Sequence, residues 1–204
     1  MKRILFCTEA SFLPTGYGVY TKELLSRLHN HPNFEVAELA CYVTKNDSRI
    51  KNIPWKFYAN KPEEHEPEYK DYKSNIIREW GEMSFNSVLL DFKPHIVIDI
   101  RDPWVFEFER RSPFKRFFKW CIMPTIDSSP QSVEFIDIIK DADGILAYSE
   151  FGRDTIESQS NLKIFGLAPP AASKNFKLLD RKEIRNKYGL DNDSYIIGTV
   201  MRNQ

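Results

Sequence analysis

A short apolar run, a loop with two glycines and an amphipathic helix follow one another within the first 28 residues. Few folds accommodate that order. Ile4-Leu5-Phe6-Cys7 has the composition of a strand buried on both faces. Thr8 to Gly18 then form a loop containing Pro14, Gly16 and Gly18. Beyond it Val19, Leu24, Leu25 and Leu28 share one helical face. Glycines between a buried strand and a helix N-terminus let backbone N–H groups approach an anion, where the helix dipole favours negative charge. The expectation is an α/β domain that meets a phosphate-bearing ligand at the carboxyl edge of its sheet.

The rest of the chain repeats the alternation. Strands are expected at Phe34–Thr44, Ile53–Tyr58, His95–Ile100, Ile122–Ile126, Gly144–Tyr148 and Leu162–Phe165. Between them lie a polar loop at Lys61–Glu68, a helix at Tyr72–Phe92 stopped by Pro94, and a basic aromatic helix candidate at Phe106–Trp120, interrupted by Ser112-Pro113. A short helix at Val133–Lys140 and one capped by Ser149 and running through Ile156 complete this part. The pattern predicts an α/β, doubly wound, mostly parallel sheet with helices on both faces, Rossmann-like. Ala168 to Ala172 read as a loop or linker. Arg181–Tyr188 is a helix closed by Gly189, and Tyr195–Met201 a buried-type strand. The domain expectation is 1–170 for the Rossmann-like part and 171–204 for a hinge helix and the first strand of a second domain.

Charge excludes some partners. Lys and Arg number 29 and so do Asp and Glu, so no global field draws the 204-residue chain to nucleic acid. Three widely spaced cysteines, Cys7, Cys41 and Cys121, and four histidines offer neither a disulfide framework nor a metal spacing. No segment reaches the roughly 18 apolar residues of a membrane span. The first strand begins almost at Met1, without a signal-peptide pattern, and the expected compartment is the cytoplasm.

Four stretches together resemble the N-terminal domain of GT-B glycosyltransferases, the large retaining group 1. They are Pro14-Thr15-Gly16-Tyr17-Gly18-Val19-Tyr20 after the first strand, and Lys93-Pro94-His95-Ile96-Val97-Ile98-Asp99 entering the middle of the sheet. Asp141 to Arg153, with its Ala147-Tyr148-Ser149-Glu150-Phe151-Gly152, is the third. Arg185 to Leu190 with Gly198 to Asn203 is similar to the family's hinge and the first strand of its second domain. The resemblance implies an enzyme that transfers a sugar from a nucleotide sugar to an acceptor hydroxyl with retention. This chain would be the acceptor side, without most of the donor-binding domain, and inactive alone. It implies a nucleotide-sugar donor as co-substrate, no metal and no other cofactor. The acceptor would be a sugar, a lipid-linked molecule or a protein.

Each candidate site residue has a plainer reading beside it. Gly16, Tyr17 and Gly18 would approach the donor diphosphate by resemblance, or merely form a tight turn needing positive φ. The third glycine of a dinucleotide fingerprint is replaced by Thr21. Arg101 and Asp102, at the carboxyl end of the central strand, are acceptor-binding candidates, with Asp102 also the catalytic candidate. The family's histidine there is missing, and Asp102-Pro103 also suits a helix cap. Asp127, Ser149 and Glu150 complete the acceptor candidates; turns and caps are their alternatives. His95 begins its strand and reads as structural, and Lys22 as a solvated helix residue. Asp141-Ala142-Asp143 precedes a strand and reads as a turn. The Phe106–Trp120 stretch either lies on an anionic membrane as a peripheral contact or sends its aromatics into the core. The competing function is a non-catalytic nucleotide- or partner-binding α/β module.

Overall fold

The computed structural model describes residues 1–171 and 176–199. The chain divides into two units, 1–170 and 171–204. The first is built on a seven-stranded, wholly parallel sheet: β1 (Lys2–Glu9), β2 (Phe34–Thr44), β3 (Lys56–Lys61), β4 (Ile96–Asp99), β5 (Lys119–Ile122), β6 (Gly144–Ala147) and β7 (Gly166–Leu167), in the spatial order 3-2-1-4-5-6-7. The chain steps outward from β1 to β2 and β3, then returns to the other side of β1 as β4. The strand order therefore reverses between β1 and β4, in register from Ile4↔Ile96 to Cys7↔Asp99.

Alternation along β1 explains why both faces are covered. Leu5 and Cys7 enter one core with Leu39 and Val97, while Ile4 and Phe6 enter another with Leu25 and Val36. Helix α1 (Gly16–His29) supplies Leu25 to the second core. On the opposite face α3 (Met83–Phe92) supplies Phe85, Val88, Leu89 and Phe92, and α5 (Val133–Ile139) and α6 (Glu150–Gln159) supply Ile139 and Ile156. Two shorter helices are α2 (Glu68–Tyr72) and α4 (Glu107–Arg110). The doubly wound parallel sheet expected from the sequence is the one observed, and Cys7 and Cys41 are buried in it.

Several boundaries differ from the expected ones. The long helix over Tyr72–Phe92 is broken at a wide turn, Arg78–Glu82, where Gly81 has φ +121°, a conformation only glycine adopts readily. β3 starts later than Ile53, because Asp47 caps a tight turn over Ser48–Asn52, accepting from Arg49 N–H at 2.9 Å. Phe106–Trp120 is not one helix. α4 has four residues, a 3₁₀ turn occupies Lys115–Phe117, and β5 begins at Lys119 instead of Ile122. Trp120 and Ile122 point into the core while Lys119 and Cys121 do not, which is the strand's period of two. Phe106 and Phe118 are buried as well; Phe117 stays 65% exposed. The continuous helix expected there is thus absent, and Phe117 is the exposed large apolar residue of the stretch. β7 falls after Leu162–Phe165, fixed by Phe165 N–H to Ile145 O and Ala168 N–H to Ala147 O, both 2.8 Å.

In the second unit α7 (Arg181–Lys187) is capped by Asp180, which accepts from Glu183 N–H at 2.8 Å, and is closed by Gly189 at φ +65°. The strand expected at Tyr195–Met201 does not form over Tyr195–Thr199, and Tyr195 and Ile197 are exposed. Within this unit no described strand is present to complete a ladder, and a strand without one leaves its backbone groups to water. Ala172 of the expected linker and Val200–Asn203 lie outside the described residues.

Residues near the amino edge of the sheet have structural work. Arg3 N–H donates to His95 Nδ1 at 3.0 Å. Asp143 accepts from Lys119 Nζ (2.8 Å), Trp120 N–H (2.9 Å) and Lys115 Nζ (3.0 Å), while Asp141 pairs with Arg110 at 2.5 Å. Burial alone would raise the Asp143 pKa, but these donors outweigh it and hold the carboxyl at about 2. An unfolded Asp titrates near ~3.9. The stabilisation is therefore complete above about pH 4 and is lost as pH falls toward 2. Asp143→Asn is expected to flatten the acid limb of the stability curve over that window, measured by urea unfolding at successive pH values. An unchanged limb would show that the pairing contributes nothing.

Candidate functional site

In open α/β sheets the usual ligand position is the crevice outside the carboxyl ends of the strands where their order reverses, here between β1 and β4. Three segments meet there. After β1 the chain turns, with Leu13 N–H on Ala10 O at 2.9 Å, and enters α1 at Thr15. The Thr15 hydroxyl caps the helix by accepting from Gly18 N–H at 3.1 Å. Tyr17, in the first turn, donates its hydroxyl to Asp102 Oδ1, 2.9 Å away and just past β4. Since that proton is committed, Thr125 Oγ1, past β5 and 2.8 Å from the same phenol oxygen, acts as donor to it. Burial chiefly, and then the Asp102 carboxylate, push the Tyr17 pKa up, so the phenol stays a neutral donor. Asp102 Oδ2 has no hydrogen-bond partner among the described residues and is free to accept one.

The tight-turn reading of the glycines, which needed positive φ, does not hold. Neither Gly16 nor Gly18 has positive φ. Gly18 is required for space: a Cβ there would lie 2.6 Å from Leu13 O and 2.8 Å from Ala10 O. Its N–H is taken by Thr15, so it is not a donor for a ligand. Gly16 faces open space, and the N–H groups of Gly16 and Tyr17 have no partner among the described residues. The start of α1 is thus left with two free amides.

Arg101 does not belong to the crevice, which corrects its place among the acceptor-binding candidates. Adjacent residues at a strand end point to opposite sides, so Asp102 faces the crevice and Arg101 the core. Its guanidinium, 1% exposed, donates to both Asp99 oxygens (Nε–Oδ1 2.7 Å), to Glu109 Oε1 at 3.1 Å, to Trp80 O, and to Cys41 Sγ at 3.7 Å. Trp120 Nε1 donates to Glu109 Oε2 at 2.6 Å. Burial first, and then Asp99, push the Glu109 pKa well above the usual carboxylate range. The cluster therefore sits in the core with Arg101 between the Asp99 and Glu109 carboxyl groups, where burial disfavours a charge on Glu109.

The other candidates lie along the same edge but are not gathered around Tyr17. Asp127 is exposed beyond β5, and its neighbour Ser128 accepts from Gln131 Nε2 at 2.7 and 2.9 Å, forming a turn. Ser149 caps α6, accepting from Gly152 N–H at 3.1 Å; Glu150 is exposed in that helix's first turn. Asp102 starts the turn Pro103–Val105 through its backbone, while its side chain makes no cap and serves Tyr17 instead. Lys22 is exposed. Sequence reasoning missed Thr125, although it lies three residues past a buried strand, where site residues of such sheets congregate. It also missed Tyr148, whose hydroxyl is buried without a partner at the end of β6. Among the described residues no group of three or more His, Cys, Asp or Glu is arranged to hold a metal ion, and no helix is long and apolar enough to cross a membrane.

No protein-family profile and no curated protein matches the chain. Solved structures do. The chain is similar to the lipopolysaccharide outer core galactosyltransferase WaaB in its apo form (TM-score 0.55, 17% identity, 85% of this chain and 46% of that one). It is similar to sucrose-phosphate synthase from Thermosynechococcus elongatus (0.65, 13%, 95% and 54%). A third is UDP-GlcNAc 2-epimerase from Neisseria meningitidis bound to UDP-GlcNAc (0.52, 13%, 82% and 46%). The chain spans about half the length of these proteins. At such identities the likeness shows the fold alone, a Rossmann-like α/β domain of the kind that makes up about half of each of these proteins.

Proposed function

We propose that this chain is the acceptor-side portion of a retaining GT-B glycosyltransferase that moves a sugar from a nucleotide sugar to an acceptor hydroxyl. The observation that carries the reading is the convergence of Tyr17, Asp102 and Thr125 at the strand-order reversal, with Asp102 Oδ2 left open. Asp102 accepts a hydrogen bond from the acceptor hydroxyl and orients it; Tyr17, itself held by Thr125, fixes the carboxylate. The free amides of Gly16 and Tyr17 favour the negative charge that develops on the departing diphosphate. The donor is the co-substrate and no metal is required by this arrangement. Residues 171–204 are proposed as the hinge and opening of the donor-binding domain, which supplies the rest of the nucleotide site. Asp127, Ser149 and Glu150 extend the acceptor side along the same edge.

Two measurements test this. In the complete gene product, release of nucleoside diphosphate from a panel of UDP-, GDP- and ADP-sugars should fall by about 100-fold in kcat/KM on Asp102→Asn, the scale of losing a positioned group. The circular dichroism should be unchanged. Full activity in that variant would sink the assignment. The 204-residue chain alone is expected to turn over none of these donors and to bind the free nucleotides more weakly than micromolar by calorimetry. Turnover, or tight binding, would move the donor site into residues 1–170 and favour a self-sufficient nucleotide-binding module.

A further inference from the structure

Beside the Tyr17–Asp102 pair stands a group of aromatic rings that no step above uses. Trp80 is its hub. Tyr42, Trp104 and Tyr17 stand nearly perpendicular to its ring, with centroids at 5.2, 5.7 and 6.4 Å. Trp80 is only 7% exposed, and its Nε1 is buried without a partner. The three surrounding residues are half-buried. Trp104 lies two residues past Asp102, and Tyr17 is bonded to Asp102, so the group adjoins the open carboxylate oxygen.

Two unusual backbone conformations lie beside these rings. Tyr42 has φ +66°, which costs free energy for a bulky residue, and it sits where the β2–β3 register slips between Ala40 and Thr44. Bulges of this kind re-aim a side chain next to active sites. Gly81, at φ +121°, turns the chain immediately after Trp80, whose carbonyl accepts from Arg101. Glu9, at the carboxyl end of β1, is in register with Cys41, the residue before Tyr42, and its Oε2 is buried without a partner.

We infer that Tyr42, Trp104 and Tyr17 around Trp80 form an aromatic subsite that binds the apolar face of a neutral pyranose, with Asp102 and Glu9 accepting from its hydroxyls. The inference rests on the function proposed above and names the acceptor class for that site. Rigid Tyr and Trp rings offer a large contact area at low entropic cost. Two carboxylates favour hydroxyl donors and oppose an anionic sugar. An acyclic polyol has the hydroxyls but lacks the flat face.

The test is saturation-transfer NMR on the 204-residue chain. The probes are methyl glucopyranoside, methyl galactopyranoside and methyl mannopyranoside, with glucuronate and sorbitol for comparison. At least one methyl pyranoside is expected to bind saturably at about millimolar Kd, with glucuronate and sorbitol much weaker. Trp104→Ala is expected to weaken it roughly 10-fold, as loss of an aromatic anchor does. Tyr42→Gly removes the ring while relaxing the φ +66° backbone, so it should weaken binding with the thermal transition preserved. Absence of binding by all three methyl pyranosides, equal binding of sorbitol, or unaltered affinity in both variants would overturn the subsite. In the complete protein, Trp104→Ala should raise KM for the acceptor. An unaltered acceptor KM together with an inactive Asp102→Asn would reject the subsite and leave the proposed function standing. Pyranoside binding without any sugar transfer would do the reverse.

Discussion

Arg101→Ala is expected to cost about 3–5 kcal/mol of unfolding free energy, the usual result of removing one partner from a buried ion pair. Ordinary domains have only about 5–15 kcal/mol in total. The cost arises from what stays behind. Asp99 would keep a carboxylate in the core with its guanidinium gone, and the Trp80 carbonyl would lose its donor. Glu109, already forced toward its protonated form, would lose a donor too. Arg101→Lys should recover only part, because an ammonium cannot reproduce the fork that meets Asp99 with two parallel bonds. Pairing Arg101→Met with Asp99→Asn should recover more than either single change, since the uncompensated charge is then removed as well. Urea midpoints for Arg101→Ala, Arg101→Lys, the double variant and its two single components decide this. A midpoint for Arg101→Ala within error of the parent would show that the cluster is solvated and the argument wrong.

Gly18→Ala and Gly16→Ala, two residues apart, are expected to differ sharply. At Gly18 the new methyl would meet two backbone carbonyl oxygens at 2.6 and 2.8 Å, groups that cannot swing aside as a side chain would. The turn before α1 must shift, at the roughly 1–3 kcal/mol typical of overpacking, and Tyr17 shifts with it. Its bond to Asp102 would lengthen, so transfer by the complete protein should fall beyond what stability explains. At Gly16 nothing lies within 4 Å and φ is ordinary, so alanine there should leave stability unchanged or slightly raised. Thermal unfolding of both variants, with activity measured well below the transition, separates them. Equal behaviour would mean that the loop yields more easily than its geometry indicates.

The sheet was legible because buried parallel strands are written as apolar runs. Ile4–Cys7, His95–Ile100 and Gly144–Tyr148 were found that way, and their order gave the architecture. Ser149 as a cap was legible for the same local reason, a hydroxyl three residues before a helical N–H. Where tertiary packing decides, the pattern misled. Lys119–Ile122 has lysine, tryptophan and cysteine in place of a run of aliphatics, and only its neighbours β4 and β6 make it a strand. Gly81 divides the Tyr72–Phe92 helix by a backbone angle that no periodicity reveals. The site was half legible. Its loop and Asp102 could be placed at the right edge, but the Tyr17 bridge and Thr125 depend on contacts 85 and 108 residues apart in sequence. Arg101 was misassigned because its sequence neighbour faces the crevice and a lone arginine rarely signals burial.

That adjacency has a consequence for reading natural or engineered variants. Arg101 and Asp102 are consecutive codons with unrelated duties, one holding a buried ion pair and the other, on the function proposed above, orienting the acceptor. Lesions at either would register as the same null in a growth or activity screen. Soluble abundance would tell them apart: depleted for a change at 101, normal for a change at 102. A mutational map scored by activity alone would merge the two into one hot spot and credit the crevice with a residue it does not contain.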